Sequence, residues 1–251
     1  MNVKIREIYD FIDRIAPYEL QMSFDNSGLI IGDADDEFTK ALLAMDVTDA
    51  VIDEALREGA NLIITHHPVI FNPIKRISSK SLVYRLIQNG IGCLSAHTNL
   101  DIADGGVNTC LAQAIGLSNI AYTGIECMYT GTLEHETSAH ELAEAVRDAL
   151  GCEGLRFADG GRKIKTVAVS SGAGGRSIYD AARLGADTLV TGEIKHHEIL
   201  DAVRLGVTVI DAGHYKSEDV VFEPLIERLK SEFPDMEFIK SRDYTDGIDY
   251  V

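Results

Sequence analysis

The chain has 251 residues, 45% of them hydrophobic and 25% charged, and carries a formal net charge of −17. Such a length and composition fit one or two globular domains with a real buried core. The negative charge argues against general electrostatic binding to DNA, RNA or anionic membranes, and no apolar stretch of about 18 residues marks a membrane span.

Met1-Asn2-Val3-Lys4-Ile5-Arg6-Glu7 has no apolar leader and reads as the beginning of a helix. Residues 41–47 read as a strand and 48–58 as a helix, with Val51, Ile52, Ala55 and Leu56 at helical spacing. Strand 61–65, helix 80–89, strand 91–96 and a helix near 107–115 follow. The middle holds a strand at 127–134 and a helix near 139–149, which Ser138 and Glu141 start as a capping box and Gly151 ends. Residues 159–163 read as a turn or linker. The alternation then resumes: strand 165–170, helix 175–184, strand 187–191, helix 195–205, strand 207–211 and helix 218–230. A strand near 236–240 precedes a polar tail.

Two stretches resemble one another. Gly59-Ala60-Asn61-Leu62-Ile63-Ile64-Thr65 matches Gly185-Ala186-Asp187-Thr188-Leu189-Val190-Thr191, and Gly90 to Ala96 matches Gly206 to Ala212. The first copy is longer by the loop Pro68 to Ser79. The expectation is an α/β fold of two related lobes, a diverged internal duplication, with lobes at 1–125 and 126–251 and the C-terminal segment able to pack back on the first. Ligands from both halves would then meet in a shared cleft.

Three polar clusters sit close to the ends of predicted strands, where α/β folds collect ligands. They are Thr65-His66-His67-Pro68, Ala96-His97-Thr98-Asn99-Leu100-Asp101, and Gly213-His214-Tyr215-Lys216-Ser217-Glu218. Adjacent histidines in an extended strand point to opposite faces, so His66 and His67 share a site only if the chain turns there. Asp101 is a hard ligand or a cap for the turn before Asp104-Gly105-Gly106. His97 reads as a further ligand, an orienting partner, a general acid/base or a structural histidine. Ser217 reads as a helix N-cap, which puts Glu218 at the positive end of a helix. Three imidazoles and two carboxylates exceed one tetrahedral site with an open position and suit two adjacent divalent metals. Spacing does not choose among Zn, Mn, Fe, Co and Ni.

Weaker features remain. Glu193 and His197 could line the same cleft and handle protons. Gly172-Ala173-Gly174-Gly175-Arg176 could hold a phosphate, or be a plain tight turn. His135 and His140 read as solvent residues. Cys93, Cys110, Cys127 and Cys152 form no CxxC pair, and Cys93 reads as a buried reduced thiol, so a cytoplasmic location is expected.

The three clusters, with Phe24-Asp25-Asn26-Ser27-Gly28-Leu29 and Thr191-Gly192-Glu193, resemble the GTP cyclohydrolase type-two homologues, also called Ngg-interacting-factor-three-like dinuclear metal proteins. The resemblance spans nearly the whole chain. It departs at Phe24, where many members carry Trp. It implies two related α/β lobes, a two-metal centre in the cleft and a toroidal homohexamer, in the short form without a central inserted domain. His66, His67, Asp101, His214 and Glu218 carry over as metal ligands, with Glu218 bridging. The implied activity is metal-dependent hydrolysis of a nucleotide-like small molecule, GTP being the named candidate, with His97 for proton transfer. The alternative is metal storage or delivery, or a ring-shaped binding scaffold.

Overall fold

The computed structural model describes residues 3–249 and 251. Its contacts divide the chain into two compact units, one of residues 1–104 with 222–247 and one of residues 105–221 with 248–251. The division falls at 104/105 rather than at the expected 125/126. The helix that follows Gly106 is the reason: its Leu111 and Ala112 are buried in the core of the second unit.

In the first unit, β1 (Val3–Lys4) pairs antiparallel with β3 (Glu37–Phe38). Helix α1 (Ile5–Ile15) buries Ile5, Ile8, Phe11 and Ile12. The main sheet contains β2 (Gly28–Ile31), β4 (Lys40–Ala44), β5 (Leu62–Thr65), β6 (Gly92–Ser95) and β13 (Glu237–Lys240), in the order β13-β4-β5-β6-β2. The first four run parallel, and β2 closes the β6 edge antiparallel. All residues of β5 and β6 are buried, as strands covered on both faces require. Helix α2 (Asp49–Glu58) starts where the Thr48 hydroxyl accepts from Val51 N and ends at left-handed Gly59. Helix α3 (Leu82–Gln88) starts at the Ser81 cap. The short α4 (Thr98–Ile102), which the sequence does not announce, follows β6 directly. The last helix, α10 (Phe222–Glu232), leads into β13.

The second unit opens with α5 (Val107–Ala114). Its sheet takes β7 (Ser118–Tyr122), β8 (Tyr129–Thr137), β9 (Arg156–Ala158), β10 (Ile164–Ser170), β11 (Thr188–Thr191) and β12 (Thr208–Asp211), in the order β7-β8-β10-β11-β12-β9. The β10-β11-β12 core is parallel, and β9 closes the β12 edge antiparallel. Helices α6 (Ala139–Leu150), α7 (Ile178–Arg183) and α8 (His196–Leu205) connect these strands. One core cluster gathers Leu142, Val146, Val167, Val169 and Ile210, another Ala168, Ile178, Leu189 and Val209.

The parallel strands of the two units share a register. The step from Ala41 to its partner Leu62 equals that from Val167 to Thr188, 21 residues. The next step is 30 residues from Leu62 to Gly92 but 20 from Thr188 to Thr208. The difference matches the extra loop after Pro68.

The final predicted helix starts earlier than 218. Residues His214–Glu218 already form a short helix, α9, entered from Gly213 at φ 88°, and a 3-10 turn at Asp219–Val221 separates it from α10. Ser217 is therefore no N-cap, and Glu218 ends a helical turn rather than opening one. No helix among the described residues is long and apolar enough to cross a membrane.

The start of α6 can be tested in isolation. Its Ser138 hydroxyl accepts from Glu141 N, while Glu141 Oε2 accepts from Ser138 N at 2.9 Å. The Ser138 backbone N–H, then the Ser138 and Thr137 hydroxyls, pull the Glu141 carboxyl from 4.5 down to about 2. A lowered carboxylate contributes stability that is full above its ordinary value and lost as the pH falls towards the folded one. Ser138→Ala should cost about 1 kcal/mol in urea unfolding at neutral pH. Its deficit against wild type should shrink between pH 4.5 and about 2.

Candidate metal centre

In the first unit the donors gather at the carboxyl ends of β5 and β6. His66 N and His67 N donate to Ala44 O and Met45 O at 3.3 and 3.0 Å, so the chain still follows β4 as it leaves β5. The two rings nevertheless come together, with centroids 5.1 Å apart. His97 completes a triangle, 5.1 Å from His66 and 5.3 Å from His67. These three residues present ring nitrogens close enough to hold one metal ion. Asp101, buried on α4, brings Oδ1 to 3.6 Å from His66 Nε2. Asn99 Nδ2 anchors that helix by donating to Ala16 O at 2.7 Å.

Each imidazole is held from behind. His66 Nδ1 lies 2.9 Å from Ala96 O. A carbonyl only accepts, so Nδ1 carries the proton and the neutral ring keeps its lone pair on Nε2. His67 Nδ1 meets Asp46 Oδ1 at 2.8 Å, and His97 Nδ1 meets Asp25 Oδ1 at 2.7 Å. Asp25 is itself fixed: its Oδ2 accepts from Ser27 Oγ at 3.1 Å, from Thr98 N at 3.0 Å and from Thr98 Oγ1. Burial pushes the Asp25 carboxyl up, but the His97 and Thr98 hydrogen bonds outweigh it and hold it well below the usual range. Asp46 behaves alike. Burial raises it, and hydrogen bonds from His67 and Tyr244, with the imidazole charges, bring it below its ordinary value.

In the second unit the donors are His214 and Glu218, one turn apart on α9, with His214 Nε2 3.2 Å from Glu218 Oε2. His214 Nδ1 meets Glu193 Oε1 at 2.7 Å. Glu193, expected to handle protons, is thus placed to orient an imidazole. Ser217 Oγ accepts from Gly172 N at 3.0 Å and donates to His214 O at 2.8 Å, fixing α9 against the turn after β10. Gly172 has φ +55°, and a Cβ there would collide with Glu218 Oε1 and lie 3.1 Å from His214 Nε2. The neighbouring glycines are equally tight: a Cβ on Gly175 would lie 2.6 Å from Glu193 O and 2.8 Å from Glu198 Oε2. Close packing against Glu218, Glu193 and Glu198 therefore accounts for this glycine run.

His197 lies exposed in the first turn of α8, and its side chain makes no hydrogen bond or ion pair among the described residues. The side chains of His135 and His140 are exposed as well, and both pair with nearby glutamates. No cysteine among the described residues is in a disulfide, and burial pushes the Cys93 thiol up to about 12.

The donor set suits divalent metals. Imidazole nitrogens and carboxylate oxygens fit Zn, Mn, Fe, Co and Ni alike. A hydrogen-bond acceptor on the other ring nitrogen is the usual support of a metal-bound histidine, and His66, His67 and His214 each have one. Two carboxylates that hold imidazoles, Asp46 behind His67 and Asp25 behind His97, are residues that the sequence reading left without a role. Asp25 had a visible signal in Phe24-Asp25-Asn26-Ser27-Gly28-Leu29, and Asp46 had none beyond its place after β4.

A family model described as Duf34/NIF3 (NGG1p interacting factor 3) matches residues 3–247. The chain belongs to the Duf34/NIF3 family. The resemblance read from the sequence motifs is thereby shown. A curated relative from Clostridium perfringens, named GTP cyclohydrolase 1 type 2 homolog, is 35% identical over 264 aligned residues, covering 99% of this chain and 100% of its own. Among solved structures, Staphylococcus aureus protein SA1388 superposes with a TM-score of 0.90 at 28% identity, covering 99% of both chains. A Bacillus cereus protein related to NIF3 gives the same TM-score at 26% identity, covering 100% of this chain and 99% of that one. This member of the Duf34/NIF3 family thus has the mixed α/β fold of its relatives.

The cradle under Glu218 gives a direct test. Gly172→Ala adds a clash and a side chain in the left-handed region, which costs about 1–2 kcal/mol. Thermal unfolding should show the loss. Metal content per chain should fall with it, whereas an unchanged content would mean that Glu218 needs no such fit.

Proposed function

We propose that the chain is a dinuclear divalent-metal protein and a metal-dependent hydrolase acting on a nucleotide-like small molecule. The observation that carries this reading is the common support of the candidate ligands. His66, His67 and His214 each have Nδ1 on an oxygen, which leaves Nε2 as the ligand nitrogen. In this reading His66, His67 and Asp101 from the first unit and His214 and Glu218 from the second would hold the two metals. A diverged duplication explains why the ligands are divided. The shared strand register, and an antiparallel strand closing the same edge of each parallel core, support it.

Divalent ions held by these residues would supply Lewis-acid polarisation of the substrate and acidify water. The side chains do the rest. His97, with Nδ1 on Asp25, is held in one tautomer and orientation, as a proton-transfer imidazole needs. The relatives' name makes GTP the first substrate to try, with opening of the guanine imidazole ring releasing formate. A toroidal homohexamer in the cytoplasm is the assembly and location proposed with this reading.

Elemental analysis should find about two metal ions per chain, and His67→Ala or Asp101→Ala should lower that number. Unchanged stoichiometry in both would sink the ligand assignment. With metal loaded, Glu218→Gln should abolish turnover while circular dichroism stays as in wild type. His97→Asn should keep the metal and lose about 10²-fold or more in rate. A metal-loaded wild type that hydrolyses neither GTP nor any member of a broad panel would turn the reading towards metal storage.

A further inference from the structure

The support of His67 does not stop at Asp46. While Asp46 Oδ1 holds His67 Nδ1, the other carboxylate oxygen, Oδ2, accepts from the Tyr244 hydroxyl at 2.7 Å. Tyr244 comes 198 residues later, in what reads from sequence as a polar tail. A short strap puts it there. Ser241 N donates to Leu43 O at 2.7 Å, continuing β13 along β4. The carboxylate of Glu54, on α2 and only 3% exposed, accepts from Ser241 Oγ, from Arg242 N at 2.9 Å and from Asp243 N at 3.2 Å. Tyr244 N donates to Ser241 Oγ at 3.1 Å, and Asp243 pairs with Arg57 at 3.0 Å. A carboxylate so buried is tolerated only when its oxygens are well hydrogen-bonded, and here the strap supplies the donors. Residues 241–244 are therefore fixed to α2 and β4.

We infer that Tyr244 is a positioning residue for His67, acting through Asp46, and that the strap 241–244 thereby sets the affinity of the metal centre. The Asp46 side chain is part-exposed, at 39%, so packing alone does not fix the plane of its carboxylate. Two hydrogen bonds do, one to the phenol and one to the imidazole. Removing the phenol hydroxyl frees the carboxylate to turn and leaves the His67 ring less well aimed. Losing such an outer support typically weakens metal binding 10–100-fold. The inference rests on His67 being a ligand, as proposed above.

Tyr244→Phe removes the hydroxyl and keeps the ring, which packs against the core of the first unit. Metal affinity should be measured by chelator competition for wild type, Tyr244→Phe, Asp46→Ala, the double variant and His67→Ala, together with the melting temperature of each metal-free protein. Tyr244→Phe should weaken binding about 10-fold with the metal-free melting temperature unchanged. In the Asp46→Ala background the same change should have no further effect, because contacting residues in one network are not additive. Wild-type affinity in Tyr244→Phe, or an equal loss with and without Asp46, would overturn the inference. If His67→Ala also keeps wild-type affinity, the ligand reading itself fails; if His67→Ala loses metal and Tyr244→Phe does not, only the role of Tyr244 fails.

Discussion

The candidate centre depends on one repeated interaction, an imidazole Nδ1 held by an oxygen. An unsupported histidine ring rotates freely and exchanges tautomers, so its ligand nitrogen is poorly aimed. Here Ala96 O, Asp46, Asp25 and Glu193 each fix one ring. Much of the surrounding structure serves these four supports. The close of β6 presents the Ala96 carbonyl, the exit of β4 presents Asp46, and the segment before β2 threads Asp25 under α4. The turn after β11 sets Glu193 against α9.

Such supports bring negative charge close to the donors, in a chain that already carries −17. Asp25 shows how the fold tolerates this. Its side chain is fully buried, yet four donor atoms from His97, Thr98 and Ser27 surround it. Each of its oxygens is satisfied, so burial does not force the carboxyl to take up a proton. Glu54 is held in the same way by the strap.

What the sequence revealed and what it hid divide along physical lines. The parallel strands were legible because burial on both faces makes them continuous apolar runs, as in Leu62–Thr65 and Thr188–Thr191. The cap of α6 was legible because Ser138, Glu141 and Gly151 act within a few residues of each other. The edge strands Ser118–Tyr122 and Arg156–Ala158 were not, since neither is buried and one has three residues. Ser217 misled because its local pattern is that of an N-cap, while its hydroxyl is spent on Gly172 N, 45 residues away. The candidate ligands stood out as histidine clusters at strand ends. Their supports did not, because Asp25 meets His97 over 72 residues and Tyr244 meets Asp46 over 198. No local pattern encodes a partner at that distance.

The placement of β13 has a consequence for how the molecule is made. Apart from its last few residues, the second unit is one continuous stretch, and its sheet can close once residue 221 has left the ribosome. The first unit, although its first strands are synthesised before the second unit, keeps the β4 edge of its sheet unpaired until Glu237–Lys240 arrives. The half made first is thus finished last. Until then an apolar parallel edge stands open, and a strand made after nearly all of the second unit closes it.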